Sequence, residues 1–299
     1  MIRTGANVLV TAAIVGGGLL VGATPAPAGT TGAPTSTRSM ETTFVDDGRD
    51  RELPTTITYP ADPEEPLPLI VLAHGNSGHP SKFVELMNAW AGAGYVVAAP
   101  AFPSNGTGDV RGQVEDMSFV IDEVLALSAQ PDNEITALVD ERHIGAAGLS
   151  LGGGTVYGLV FNTCCRDKRI DAVVLMSTLR VTLTGGKEKF PPLPTMMIAG
   201  DADPVARVTV NTYPLLSPPK WMVMLHGGTH SEPFEDTPDP ADDVVREITA
   251  AFWDRYLKND SPAAKRIGDA VTAYCDADLE RELKSGADAQ ECATSEPPD

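Results

Sequence analysis

Six short apolar runs constrain this chain more than any other feature. They are "LPLIVLAHG" (67 to 75), "GYVVAAP" (94 to 100), "RHIGAAG" (142 to 148), "DAVVLMS" (171 to 177), "TMMIAG" (195 to 200) and "KWMVMLHG" (220 to 227), each closing on Gly, Pro or Ser. Runs of this length, apolar throughout and bounded by turn residues, read as parallel strands covered on both faces. Helical patterns lie between and after them. "VRGQVEDMSFVIDEVLALS" places Met117, Val120, Ile121, Val124 and Leu125 on one face, and "DDVVREITAAFWDRYL" does the same with Val244, Val245, Ile248 and Phe252. Strand and helix in alternation predict an α/β fold with a doubly wound, mostly parallel sheet. "ETTFVDD" and "LPTTITYP", with their two-residue period, predict an antiparallel edge ahead of it.

With 299 residues, 42% of them hydrophobic, and no internal repeat or long charge block, the chain can bury one large core. Its net charge of −19, with 22 basic residues in no dense cluster, argues against nucleic acid and anionic membrane surfaces as partners. The N-terminus has the pattern of an address. After Arg3 comes "VLVTAAIVGGGLLV", then "GATPAPAG", where Ala26-Pro27-Ala28 fits a small-x-small cleavage site. The apolar run is short of the roughly 20 residues a membrane span needs. The expected organisation is a signal peptide over 1–28, a flexible Gly/Ser/Thr/Pro linker over 29–39 and the folded domain over 40–299, exported, extracellular and monomeric, with no stable membrane association once processed.

Export gives the four cysteines meaning. Cys275 and Cys292 lie in an acidic, helix-forming tail with little apolar material, where a bridge between them would tie down a fraying end. Cys164 and Cys165 are adjacent, so either a strained ring between them or two buried thiols is open, and neither carries a function.

The chemistry is expected around "HIGAAGLSLGGGTVYG" (143 to 158). Gly152, Gly154 and Gly158 have a loose glycine spacing, but a dinucleotide-binding turn opens the first βαβ unit, and here two strands precede it; no Gly-Lys-Ser or Gly-Lys-Thr follows for a phosphate loop. Gly148-Leu149-Ser150-Leu151-Gly152 fits a different device, a G-x-S-x-G elbow between strand and helix. Side chains two residues either side of the serine would strike neighbouring backbone unless small, and the helix that starts there adds oriented N–H groups. A serine hydroxyl needs a general base, itself oriented by a carboxylate, and in this fold the chain order is serine, acid, histidine. Only His226 and His230 follow Ser150; His226 closes a strand, whereas His230 sits in the loop beyond it and is the candidate base. In "GDADPVARV" the candidate acid is Asp203, with Asp201 the alternative suited to a turn-forming bond to backbone. Two backbone donors would hold an oxyanion: Leu151, just after the nucleophile, and Asn76, in the loop that follows "LIVLAHG". His74 is expected to pack behind that loop.

In "VLAHGNSG", "GLSLGGGT", "GDADPVARV" and "HGGTH", in that order, the chain resembles the α/β-hydrolase family, and within it the secreted bacterial branch of cutinase-like polyester hydrolases and relatives of platelet-activating-factor acetylhydrolase. The resemblance runs from "RELPTTITYPA" through "AFWDRYLKND" and on to the tail cysteines. It implies a Ser150–Asp203–His230 triad, an Asn76/Leu151 oxyanion hole, a Cys275–Cys292 bridge, and hydrolysis of small or polymeric carboxylic esters with no cofactor and no metal. The pattern departs in two places: where polyester hydrolases of this type carry an aromatic in the oxyanion loop and a tryptophan after the following strand, this chain has Asn76 and Ser177-Thr178-Leu179-Arg180. The segment Thr178 to Pro194 is too short for a large helical lid, so an open site is expected. An acyltransferase using the same triad, or a non-catalytic binding protein on the same fold, are the competing functional classes.

Overall fold

The computed structural model describes residues 36–104, 106–283 and 288–290. In chain order they form β1 (Thr37–Asp46), β2 (Arg51–Pro60), β3 (Leu67–Ala73), α1 (Val84–Gly92), β4 (Val96–Pro100), α2 (Val110–Ala129), β5 (Val139–Leu149), α3 (Leu151–Phe161), β6 (Ile170–Met176), β7 (Thr195–Gly200), α4 (Ala206–Thr212), β8 (Lys220–Leu225), α5 (Asp242–Leu257), α6 (Ala263–Tyr274), β9 (Ala277–Glu282) and β10 (Asp288–Gln290). The strands make one ten-stranded sheet in the order β1-β2-β4-β3-β5-β6-β7-β8-β9-β10. The six runs read from the sequence are β3 to β8, mutually parallel in this sheet, and antiparallel strands flank them at both ends.

The apolar runs are unbroken because each central strand feeds two cores. In β3, Leu69, Val71 and Ala73 pack under α2 and α3, while Ile70 and Leu72 face the cluster of α1, α5 and α6. The helices match. Met117, Val120, Ile121 and Val124 of α2 are buried on the first side, with Leu125 half-buried beside them, and Val244, Val245, Ile248 and Phe252 of α5 are buried on the second. The expected antiparallel edge is the β1–β2 hairpin, with Phe44 opposite Leu53 and Met40 opposite Ile57. Strand β1 begins at Thr37, so Thr37–Ser39, read as the end of the linker, pair with Thr58–Pro60.

The tail differs from expectation. Beyond α6 it is a strand, β9, laid antiparallel on β8, because Ala277 and Leu279 alternate inward onto the second core. Cys275 ends α6 in the left-handed conformation (φ 61°), exposed, with its thiol donating to the Thr272 carbonyl at 2.8 Å. Cys292, its expected partner, lies outside the described residues. Cys164 and Cys165 are joined to each other in a disulfide just after α3, half-buried against the first core, which settles for the ring rather than for two thiols.

The hairpin is fastened to α2 by charge. Asp116 has a fully buried side chain and accepts from Arg49 Nη1 at 2.8 Å and Arg51 Nε at 2.6 Å. Removing one partner of a buried, hydrogen-bonded charge cluster strands the others in low dielectric. Asp116→Ala should therefore lower the denaturant-unfolding free energy by about 3 kcal/mol or more. Lys265→Ala, which breaks the solvent-exposed pair with Asp269, should leave the unfolding midpoint nearly where it was.

Candidate active site

At the end of β5 the chain turns into α3 within one residue. Ser150 takes φ 56° and ψ −115°, a conformation a side-chain-bearing residue adopts only when its surroundings impose it. Its N–H donates to the Met176 carbonyl (2.9 Å), and its own carbonyl accepts from Gly154 (2.9 Å) and Leu179 (3.2 Å). The flanking glycines are a steric necessity. A Cβ on Gly148 would lie 2.3 Å from the Gly152 carbonyl oxygen, and one on Gly152 would lie 2.1 Å from the Ala73 oxygen. The other glycines of this stretch have a packing role: a Cβ on Gly154 would meet Val181 at 2.8 Å, and one on Gly158 would meet Val114 at 3.0 Å and Leu183 at 3.2 Å. They let α2 and the chain beyond β6 lie close along α3.

The structure brings Ser150, His230 and Asp203 together from three loops. His230 Nε2 is 2.8 Å from Ser150 Oγ, and His230 Nδ1 is 3.0 Å from Asp203 Oδ1. That carboxylate oxygen also accepts from the Val205 N–H at 2.8 Å, and the whole Asp203 side chain is withdrawn from solvent, whereas His230 is a third exposed. Asp203 Oδ2 and the hydroxyl of Ser177, a buried residue with φ 42° at the exit of β6, are buried without a hydrogen-bond partner among the described residues.

The loops that carry Asp203 and His230 are held on each other by backbone. A Cβ on Gly200 would lie 1.9 Å from the Gly228 oxygen, Ala202 N donates to that oxygen at 3.1 Å, and Asp201 N donates to Leu225 at 3.0 Å. Asp201 has a place in this joint: its Oδ1 accepts from the Gly227 N–H at 2.7 Å. It bonds backbone as expected of it, but the backbone of the neighbouring loop. His226 lies apart, exposed at the end of β8 and 3.2 Å from Asp278. His143 pairs with Asp140 near the start of β5, and His79 accepts from the Ser81 N–H at the head of a short 3₁₀ turn.

Asn76 and Leu151 both lie next to Ser150 in the fold, one in the loop after β3 and one at the start of α3. Leu151 opens α3, where the N–H groups have no partner within the helix, and a Cβ on Gly75 would sit 3.5 Å from Ser150 Cβ, so the loop bearing Asn76 borders the serine. Two side chains anchor this loop through bonds the sequence did not show, one of them His74, which packs behind the loop as expected. Asp236, from the segment after His230, caps α1 by accepting from Val84 N (2.8 Å) and Glu85 N (3.0 Å). His74 is buried with both ring nitrogens engaged. An Asp ahead of a helix in sequence would have signalled the cap; one more than a hundred residues away gives no local signal.

Neither position at which the pattern departs is itself aromatic: Asn76 stands in the loop after β3, and Ser177-Thr178-Leu179-Arg180 follow β6. Arg180 is exposed and bonds Glu188, which also accepts from Tyr157 at 2.6 Å. The segment from Thr178 to Pro194 contains no helix. Among the described residues no group of three or more His, Cys, Asp or Glu could hold a metal ion, and no helix is long and apolar enough to cross a membrane.

Two outcomes follow from this geometry. Gly152→Ala should abolish activity and lower Tm, while Gly106→Ala, whose Cβ meets nothing within 4 Å, should do neither; circular-dichroism melts and an ester assay read both. Burial holds His74 below the usual imidazole value. Its neutral form therefore stabilises the fold fully above about pH 6.5, and that contribution is lost as pH falls through its lower folded value. Unfolding free energy measured from pH 7.5 to 5 should fall, and His74→Asn should flatten that slope.

Compared with protein-family models, residues 19–279 match the one described as PET hydrolase-like. No curated protein matches the chain.

Proposed function

The chain belongs to the PET hydrolase-like family, polyester hydrolases on the α/β-hydrolase fold, and from that premise we propose that it is a serine carboxylic-ester hydrolase working through an acyl-enzyme. The observation that carries this reading is the unbroken relay Ser150 Oγ–His230–Asp203 at 2.8 and 3.0 Å. Ser150 Oγ attacks the ester carbonyl carbon as its proton passes to His230 Nε2. Asp203, buried and bonded to Nδ1, holds the ring in the tautomer that leaves Nε2 able to accept, and stabilises the imidazolium that forms. The carbonyl oxygen becomes an oxyanion held by the N–H groups of Asn76 and Leu151. Collapse expels the alcohol, which takes the proton from His230. Water then gives a proton to His230 and attacks the acyl group, and Ser150 leaves with the proton restored.

The substrate reading rests on shape. An open site without a helical lid, and without an aromatic wall at Asn76 or past β6, favours flexible esters whose carbonyl can reach Ser150 unaided. A rigid aromatic diacid has to be held flat, and an aromatic neighbour contributes about 0.5 to 1.5 kcal/mol beyond burial. We place the enzyme outside the cell as a monomer, with residues 1–28 removed and Cys275 bridged to Cys292; mass spectrometry of exported protein should give an N-terminus near Gly29 and that bridge.

Ser150→Ala should fold with an undiminished Tm and lose nitrophenyl-ester hydrolysis by about four orders of magnitude or more; a folded variant that still turns over would overturn the mechanism. The wild-type enzyme should erode an aliphatic polyester film much faster than a terephthalate film, and Asn76→Tyr should narrow the difference. Equal release from both films by the wild-type enzyme would contradict the substrate reading.

A further inference from the structure

His74 occupies a position that packing alone does not require. It is the last residue before the oxyanion loop, almost wholly buried, with its ring 4.9 Å from that of Phe102. An apolar side chain would fill such a place at no polar cost. Instead the ring makes two bonds of opposite sense: Nε2 accepts from the Phe102 N–H at 3.2 Å, and Nδ1 lies 2.9 Å from the Gly75 carbonyl oxygen. A backbone N–H can only donate and a carbonyl oxygen can only accept, so these partners fix the ring as the neutral tautomer with its proton on Nδ1. A protonated ring would set two donors against each other at Phe102. Burial opposes protonation, His79 and Lys82 on the adjoining 3₁₀ turn (Pro80–Lys82) add to that, and only the bond to Gly75 works the other way.

The Gly75 carbonyl belongs to the peptide unit whose N–H is that of Asn76. That unit is planar and trans, so its C=O and N–H point in opposite directions. Gly75 O accepts from His74 Nδ1 at 2.9 Å and from the Gly78 N–H, also at 2.9 Å. With the oxygen held by two donors the peptide cannot rotate, and the Asn76 N–H is committed to the opposite side. His74 also meets the nucleophile's turn through its backbone, since a Cβ on Gly152 would lie 2.5 Å from its carbonyl oxygen.

We propose that His74 is the positioning residue of the oxyanion hole: through its Nδ1–H it fixes the Gly75–Asn76 peptide so that the Asn76 N–H is preset toward the oxyanion formed at Ser150. The proposal rests on the serine-hydrolase reading above. A donor set in place before reaction contributes to the transition state and little to ground-state binding. The loss on removing His74 therefore belongs in kcat and in the binding of tetrahedral adducts.

The test compares His74→Asn, His74→Gln and His74→Leu in the full chain. Asn keeps an amide N–H where ring Nδ1 stands. Gln reaches the position of Nε2, toward Phe102, and offers no donor to Gly75. For a nitrophenyl ester, His74→Leu should lower kcat about 10- to 100-fold with KM little changed, and a phenylboronic acid that forms a tetrahedral adduct on Ser150 should bind more weakly by a similar factor. His74→Asn should recover most of both losses and exceed His74→Gln. If His74→Leu does not fold, the order of Asn above Gln in kcat and boronate affinity remains the deciding result. Equal kcat in all three variants, or Gln equal to or better than Asn, would overturn the role of His74. Labelling of wild-type Ser150 by a fluorophosphonate separates the two levels. An unlabelled wild-type protein overturns the hydrolase reading itself, whereas a labelled one with no Asn-over-Gln order overturns the positioning role alone.

Discussion

Between β5 and α3 the backbone passes so close to itself and to β3 that Gly148 and Gly152 have no room for a single methyl group, with carbonyl oxygens 2.3 and 2.1 Å from where each Cβ would stand. Ser150 is held between them at φ 56°. A strained residue persists only where its surroundings over-determine it, and here the surroundings are the two strands beside β5 in the sheet. The Ala73 carbonyl at the end of β3 closes one side of the turn, and the Met176 carbonyl at the end of β6 binds the Ser150 N–H on the other. The same contacts place the loop of Asn76 against the serine, because that loop starts at the residue after Ala73. Ser150 and the loop of Asn76 are thus parts of one packed joint.

The remaining groups arrive through sheet order. Strands β5, β6, β7 and β8 are parallel and adjacent, so the loops after β5, β7 and β8 open on one end of the sheet, where ligands meet α/β proteins. The close passage of Gly200 by Gly228 and the Asp201–Gly227 bond turn the last two loops into a single unit. His230 hangs from that unit, part exposed, between a buried carboxylate and the serine.

Much of this is legible in the sequence because it is local. The apolar runs announce β3 to β8, Gly148 and Gly152 announce the turn, and the end of the last apolar run separates His230, in the loop beyond it, from His226. What stays hidden depends on partners distant in sequence. Asp236 caps a helix that begins at Val84, and Arg49 and Arg51 find Asp116 across a hairpin and a helix. Strand β9 reads as helix because its charged residues suit an acidic helix; only the exposed side of β8 makes a strand of them. His74 reads as packing because the bonds that fix its tautomer are to the backbone of Gly75 and Phe102, which any sequence would supply. The Cys164–Cys165 ring was open in the sequence for a related reason: adjacency limits what can form without deciding whether it forms.

The account's central claim is that Ser150 becomes covalently acylated on the way to product. Wild-type protein mixed with a slowly deacylating nitrophenyl ester, quenched in acid during the first turnover and digested, tests it by mass spectrometry. The account predicts a burst of about one equivalent of nitrophenol per enzyme, with the acyl mass on the peptide that contains Ser150. Steady product formation with no burst and no acyl mass on that peptide, in a quench shown to preserve esters, would contradict it.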